Sequence, residues 1–289
     1  MKIARFKIGS GPAQIGAVVG VGADGSIDDA EVVSLGWLGL GEDVVGAALV
    51  SPDEREDAID GADRWPLAEV SLLAPIKRPP KFLAIGLNYR DHIEEGGRAM
   101  PDFPVVFNKQ STCINDPFGD VPIPAAAPDK VDYEGELGMV IGRLCRGVSR
   151  EDAPSVVAGY LVVNDVSVRD WQRKTPTMTL GKSWDGHGPI GPWLVTSDEL
   201  GDPHSLAMKT WVNGELRQDT RTDQMVFDCW TQIETISTVC SLEPGDVIST
   251  GTSSGVAAYF DPPKFLGNGD VVRIEVEGIG AIQNRFVDE

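Results

Sequence analysis

Val131-Asp132-Tyr133-Glu134-Gly135-Glu136-Leu137-Gly138-Met139-Val140, VDYEGELGMV, reads as a β-strand with an acidic start and an apolar end. Alternate side chains of a strand share a face, so Glu134 and Glu136 stand side by side with Cα atoms roughly 6.5 to 7 Å apart. Two like charges held this way cost energy unless water reaches the face or a cation lies between them. Spacing alone leaves both readings open, a wet acidic edge or a pair of metal ligands.

Outward from this strand the chain is written in the same idiom. Apolar runs bounded by turn residues predict strands at KFLAIGLNY (81–89), PVVFNK (104–109), VAGYLVVNDVSV (157–168), GPWLVT (191–196), AMKTWVNGEL (207–216), DVISTG (246–251) and DVVRIEVEGIGAIQNRF (270–286). One helix is expected in DCWTQIETISTVC (228–240), where Trp230, Ile233, Ile236 and Val239 recur at helical spacing. Strands outnumber helices and no βαβ alternation appears, which predicts an α+β, β-rich chain built as a sandwich or roll rather than a doubly wound sheet. Residues 1–72 read as a small N-terminal α+β module and 73–289 as the larger, catalytic domain. In the module, strands IGAVVGV (15–21) and EVVSL (31–35) flank a turn at GADGS (22–26), and an acidic helical stretch (42–61) precedes a strand and a proline-rich connection (66–80).

The 289 residues carry 44 acidic against 25 basic side chains, a formal net charge of −19. Such a field repels a polyanion, so no nucleic-acid partner is expected. No stretch approaches the length of a membrane span and no leader is recognisable at MKIARFKIGSGPAQIG, so a cytoplasmic protein without a membrane partner is expected. Cys113, Cys145, Cys229 and Cys240 lie far apart with no zinc-ligand spacing, and read as reduced thiols, mostly buried. GTSSG (251–255) lacks the P-loop pattern, and neither a dinucleotide fingerprint nor a G-x-S-x-G nucleophile elbow is present.

Asp165, at the end of the apolar run GYLVV followed by Asn164, offers a third oxygen beside the two glutamates. An all-carboxylate set suits hard cations such as Mg²⁺, Mn²⁺ or Ca²⁺. In RDHIEEGG (90–97), a helical turn places His92 and Glu95 as i, i+3 neighbours. A carboxylate on one imidazole nitrogen raises the basicity of the other, as a general base requires; a surface histidine near a chance acid is the other reading. Arg169 and Gln172 follow Asp165, Lys182 sits in a glycine-containing segment, and Lys109 reads as a surface charge at a strand end.

LAIGLNYRDHIEE (83–95), VDYEGELGMVIG (131–142), GYLVVNDVSVRDWQ (159–172), LGKSWDGHGPIGPW (180–193), LEPGDVISTGTSSGV (242–256) and LGNGDVVRIEVEGIGAIQNRF (266–286), in this order, resemble the fumarylacetoacetate hydrolase family. The resemblance implies a mixed β-sandwich roll, a homodimer and one Mg²⁺ or Mn²⁺ per active site. It assigns Glu134, Glu136 and Asp165 to the metal, His92 and Glu95 to a water-activating dyad on a short lid helix, and Lys182 to the reacting oxygens. Gln172 and Thr252 fall at substrate-contact positions, and Arg169 at a further family position. The chain departs from the family's usual Thr-Gly-Thr-Pro-x-Gly-Val run, carrying TGTSSGV (250–256) instead.

The implied activity is that of a metal-dependent C–C bond hydrolase, splitting a 2,4-dioxo acid of the acylpyruvate or fumarylpyruvate kind into pyruvate and a carboxylic acid. Oxaloacetate decarboxylase, oxaloacetate keto–enol tautomerase and related 2-oxo-acid lyase or hydratase activities are the alternatives, because each passes through the same enolate. A small anionic 2-oxo acid is the expected partner in every case.

Overall fold

The computed structural model describes residues 1–22 and 25–289; Ala23 and Asp24 of the expected GADGS turn lie outside the described residues. Strands β1 (Lys2–Lys7), β2 (Gln14–Val19) and β3 (Glu31–Ser34) precede two short helices, α1 (Val44–Leu49) and α2 (Pro52–Ile59), then β4 (Arg64–Pro66) and β5 (Ser71–Leu73). Asp43 caps α1 through the amide of Gly46, and Ser51 and Glu54 form a capping box on α2.

Next come β6 (Phe82–Gly86), α3 (Arg90–Glu95), β7 (Val105–Lys109), β8 (Ile114–Asn115), β9 (Val121–Ile123), β10 (Val131–Asp132), β11 (Gly135–Ile141), β12 (Val157–Asn164) and β13 (Ser167–Val168). They are followed by α4 (Arg169–Gln172), α5 (Thr179–Lys182), β14 (Gly188–Thr196), α6 (Ser197–Leu200), β15 (Ala207–Val212) and β16 (Glu215–Arg221). The chain ends with α7 (Cys229–Val239), β17 (Val247–Thr252), β18 (Val271–Val276) and β19 (Gly280–Asp288).

The large sheet runs β4-β3-β2-β1-β14-β12-β11-β17-β6-β7, with β5 on β1 and β8 on β14. It is mixed: β17 lies parallel to β6, while β11 is antiparallel to both β12 and β17. A second sheet, β16-β15-β18-β19-β9, packs on one face. Helices α1 and α2 cover part of the other face against Ile3, Ile15, Leu161, Val163 and Leu194. Every residue of β11, β12 and β14 is consequently buried, which is why these strands read as near-continuous apolar runs. By contrast β15 and β18 alternate buried and half-buried, as a sheet with one solvated face must. The sequence-based fold class, a β-rich mixed sandwich roll, matches this architecture. Across the 72/73 boundary the sheet is continuous, since Lys2 and Ile3 of β1 pair with Val195 and Leu194 of β14.

The expected helix forms as α7, but its buried face is Cys229, Gln232, Ile233, Ile236 and Ser237. Val239 ends the helix exposed, because the face that packs is set by Cys229 rather than by Trp230. Glycine matters most at Gly135, where a Cβ would stand 2.3 Å from Thr210 Oγ1 and 3.1 Å from Ile274 Cγ2. The second sheet therefore presses directly on the residue between the two glutamates.

Candidate metal centre and active-site cavity

Glu134 lies in the short break between β10 and β11, Glu136 is the second residue of β11, and Asp165 follows the last residue of β12. Pairing of Glu136 with Val163 brings the two strands into register, and the amide of Asp165 donates to the carbonyl of Glu134 at 2.9 Å. Carboxylate oxygens of all three residues lie within 4.8 Å of one another, and all three side chains are buried.

Each carboxylate is held by its own donors. Ser249 Oγ and the amide of Gly251 both donate to Glu136 Oε2, at 2.5 and 2.8 Å. Asp165 receives Lys109 on Oδ1 at 2.7 Å and Lys182 on Oδ2 at 2.6 Å. Glu134 is contacted by Lys182 and, at 2.7 Å, by Arg169. Arg169 is in turn braced at 2.7 Å by Asp132, whose carboxylate also accepts the amides of Ala257 and Ala258. The last residue of β7 thus differs from expectation: Lys109 is fully buried, and its Nζ also reaches the carbonyl of His187 at 3.0 Å.

Electrostatics separate the three acids. Burial opposes charge on Glu134, but Lys182 and Arg169, with His92, outweigh it and hold the carboxyl at about 2. Burial, then Asp165 and Glu134, push Glu136 well above the usual carboxylate range. For Lys182, burial favours the neutral amine, yet Asp165 and Glu134 prevail and keep it an ammonium. Lys182 is therefore a source of positive charge, not a base. Four buried acids, counting Asp132, face three cations, Lys109, Arg169 and Lys182. Three converging carboxylates with Glu136 disfavoured as an anion fit a hard divalent cation as the missing charge.

Glu134 and Glu136 open onto a cavity of about 490 Å³, with Asp165 fully buried beside them; it is also lined by His92, Arg98, Arg169, Gln172, Arg173, Lys182, Thr252 and Tyr259, with Ile85, Val105, Phe107 and Met178 among its apolar walls. His92, on α3, has Nδ1 3.4 Å from Glu95 Oε2 and packs edge-on against Tyr259 with ring centroids 5.7 Å apart. Gln172 accepts from Arg169 at 3.0 Å, and a Cβ on Gly181 would strike the Gln172 amide at 2.2 Å, so α4 and α5 touch through that glycine and set Lys182 beside the acids. Thr252 lines the cavity while its hydroxyl donates to the Gly135 carbonyl at 2.9 Å and accepts from Gln218 at 2.8 Å.

Sequence reasoning missed the rim. Arg98 follows α3 and Arg173 follows α4; both are exposed at the cavity, and among the described residues neither guanidinium has an acid, hydrogen-bond or ring partner. An arginine in a loop carries no spacing signal that could have marked it.

Behind the site, His187 is buried, with Nε2 2.7 Å from the carbonyl of Pro122, and burial lowers its pKa to about 4. The unfolded chain takes up this proton near pH 6.5 while the folded one does not. Stability is therefore expected to fall between pH 6.5 and 4, by up to about 3 kcal/mol from this group, and to be unaffected by it above pH 6.5. Denaturant melts across that range should show a shallower acid slope for His187→Gln than for the parent.

Residues 81–287 match the family model "Fumarylacetoacetate (FAA) hydrolase C-terminal". The chain is 41% identical over 253 residues to the mitochondrial oxaloacetate tautomerase fahd2 of Xenopus laevis, covering 87% of this chain and 77% of that protein. Among solved structures it resembles the fumarylacetoacetate hydrolase of psychrophilic Exiguobacterium antarcticum, at TM-score 0.87 and 35% identity over the whole of both chains. It also resembles the maleylpyruvate hydrolase of Sphingobium sp. SYK-6 in complex with manganese(II) and pyruvate, at TM-score 0.81 and 32% identity, covering 100% of this chain and 99% of that one. Among the described residues no helix is long and apolar enough to cross a membrane.

Proposed function

The chain belongs to the fumarylacetoacetate hydrolase family, and from that premise we propose that it is a divalent-metal-dependent keto–enol tautomerase of oxaloacetate or a closely similar 2-oxo dicarboxylic acid. The observation that carries this reading is one cavity lined by Glu134, Glu136 and His92, with Asp165 beside the glutamates, Glu95 beside the imidazole, and two unpartnered arginines at its rim. Similarity to a tautomerase over most of the chain favours it over hydrolysis, which the sequence reading placed first. Mg²⁺ or Mn²⁺ as the metal and a cytoplasmic homodimer complete the proposal.

Glu134, Glu136 and Asp165 would hold the cation, which when bound supplies Lewis-acid polarisation of a 2-oxo acid. The chain's own residues do the rest. His92, oriented by Glu95, takes a proton from C3; the C–H electron pair becomes the C2–C3 double bond, and the carbonyl π pair moves onto the C2 oxygen. Lys182, held as an ammonium, stabilises the charge growing on that oxygen. A proton returned to the oxygen completes the enol. Arg98 and Arg173 suit the carboxylate at the far end, and Arg169, Gln172 and Thr252 line the path between.

The size of the cavity, about 490 Å³, favours a second reading, hydrolytic cleavage of a 2,4-dioxo acid, since it leaves room for an acyl arm and an attacking water. Incubation with oxaloacetate, its enol and acetylpyruvate, followed by ultraviolet absorbance, CO₂ and pyruvate, separates tautomerase, decarboxylase and hydrolase. Arg98→Ala and Arg173→Ala should each raise KM for oxaloacetate about tenfold, with kcat nearly unchanged and acetylpyruvate turnover unaffected. Equal losses on both substrates would remove the distal-carboxylate role.

A further inference from the structure

The segment after β17 departs from the family run, and it is bonded to the helix that carries His92. Ser254 Oγ donates to Asp91 Oδ2 at 2.7 Å, while Asp91 Oδ1 accepts the backbone amide of His92 at 2.8 Å. One carboxylate thus joins the serine to the main chain of the residue proposed as base. A second tie runs in parallel, from the amide of Gly255 to Glu95 Oε1 at 3.0 Å, so the loop also holds the acid that orients the imidazole. The far side of the segment is anchored to the metal-site frame: Tyr133 donates to the carbonyl of Gly255 at 2.7 Å, and Asp132, which braces Arg169, accepts the amides of Ala257 and Ala258.

A helix of six residues has little stability of its own. Tyr89 at its start provides no side-chain cap, and Gly96 and Gly97 follow its end, the latter at φ +60°. Its placement has to come from tertiary contacts. Ile93 supplies a buried anchor, and the polar ties on the cavity side come from the loop 254–255.

We propose that Asp91 and Ser254 are positioning residues that latch the lid helix, fixing His92 over the carboxylate triad before any substrate arrives. The proposal rests on the reading of His92 as the base. The latch links the two halves of the site mechanically: a shift at Asp132 or Arg169, beside Glu134, passes through residues 255–258 to Asp91 and Glu95. Ser254 is not among the residues that line the cavity, so its removal leaves the binding groups in place.

Ser254→Ala deletes the bond with little change in volume, Ser254→Thr restores the hydroxyl, and Asp91→Ala removes both arms. Hydrogen exchange of the metal-loaded full-length protein should show amides 91–97 exchanging about tenfold faster in Ser254→Ala, with β11 and β12 unchanged. The same variant should lose about tenfold in kcat with KM for oxaloacetate nearly constant, Ser254→Thr should recover most of it, and Ser254→Ala in a His92→Ala background should cost nothing further. Unchanged exchange and kcat in Ser254→Ala, or a loss that adds in full to that of His92→Ala, overturns the latch. A His92→Ala enzyme of full activity instead overturns the assignment of the base, and the exchange data distinguish the two failures.

Discussion

Glu136→Gln should leave a folded protein that binds Mn²⁺ or Mg²⁺ at least about a hundredfold more weakly and turns over oxaloacetate at least about a thousandfold more slowly. Glutamine keeps the shape and can still accept from Ser249 and Gly251. What disappears is one of three buried carboxyl groups whose oxygens lie within 4.8 Å of one another, and with it the charge it would offer a cation. The direction of the stability change is diagnostic. Burial, then Asp165 and Glu134, disfavour an anion at Glu136, so in EDTA the variant should melt at or above the parent temperature. Adding metal should raise the parent's melting temperature and leave the variant's unchanged. Calorimetric titration with Mn²⁺ and a pair of melting curves check both halves, and a variant that binds metal as the parent does would displace Glu136 from the centre.

His92→Ala should lower kcat by about a hundredfold to ten-thousandfold while metal affinity stays within about twofold of the parent. His92 belongs to α3, Glu136 to β11, Glu134 to the break before β11 and Asp165 to the end of β12, so the imidazole can be removed without touching the triad's donors. Glu95→Gln should fall between, because the imidazole remains but loses the negative charge 3.4 Å from its Nδ1. Steady-state kinetics beside Mn²⁺ titration separate the two roles; a fall in metal affinity matching the fall in rate would mean that His92 acts on the metal site instead.

The strands that decide the architecture were legible because burial on both faces leaves long apolar runs at 135–141 and 157–164, and the second sheet because β15 and β18 alternate. The convergence of Glu134, Glu136 and Asp165 was legible for a similar reason: two acids bounding a glycine at the start of a strand are a local pattern, and the third ends an apolar run. Lys109 was misread, since nothing in VVFNKQS tells that β7 ends against Asp165 and the carbonyl of His187. Strand β1 and its pairing with β14 were missed, because a register between residues about 190 positions apart leaves no local trace. Arg98, Arg173 and Ser254 belong to loops, and where these meet the cavity and Asp91 of α3 is decided by the packed sheets.

The most direct measurement is the rate at which enol-oxaloacetate converts to the keto form with the purified protein, followed by ultraviolet absorbance with Mn²⁺ or Mg²⁺ and again with EDTA. The expected result is ketonisation many times faster than the buffer blank, without CO₂ release, abolished by EDTA and absent in Glu136→Gln. A rate equal to the blank in the presence of metal, with acetylpyruvate cleaved to pyruvate by the same preparation, would contradict the tautomerase and leave a hydrolase in its place.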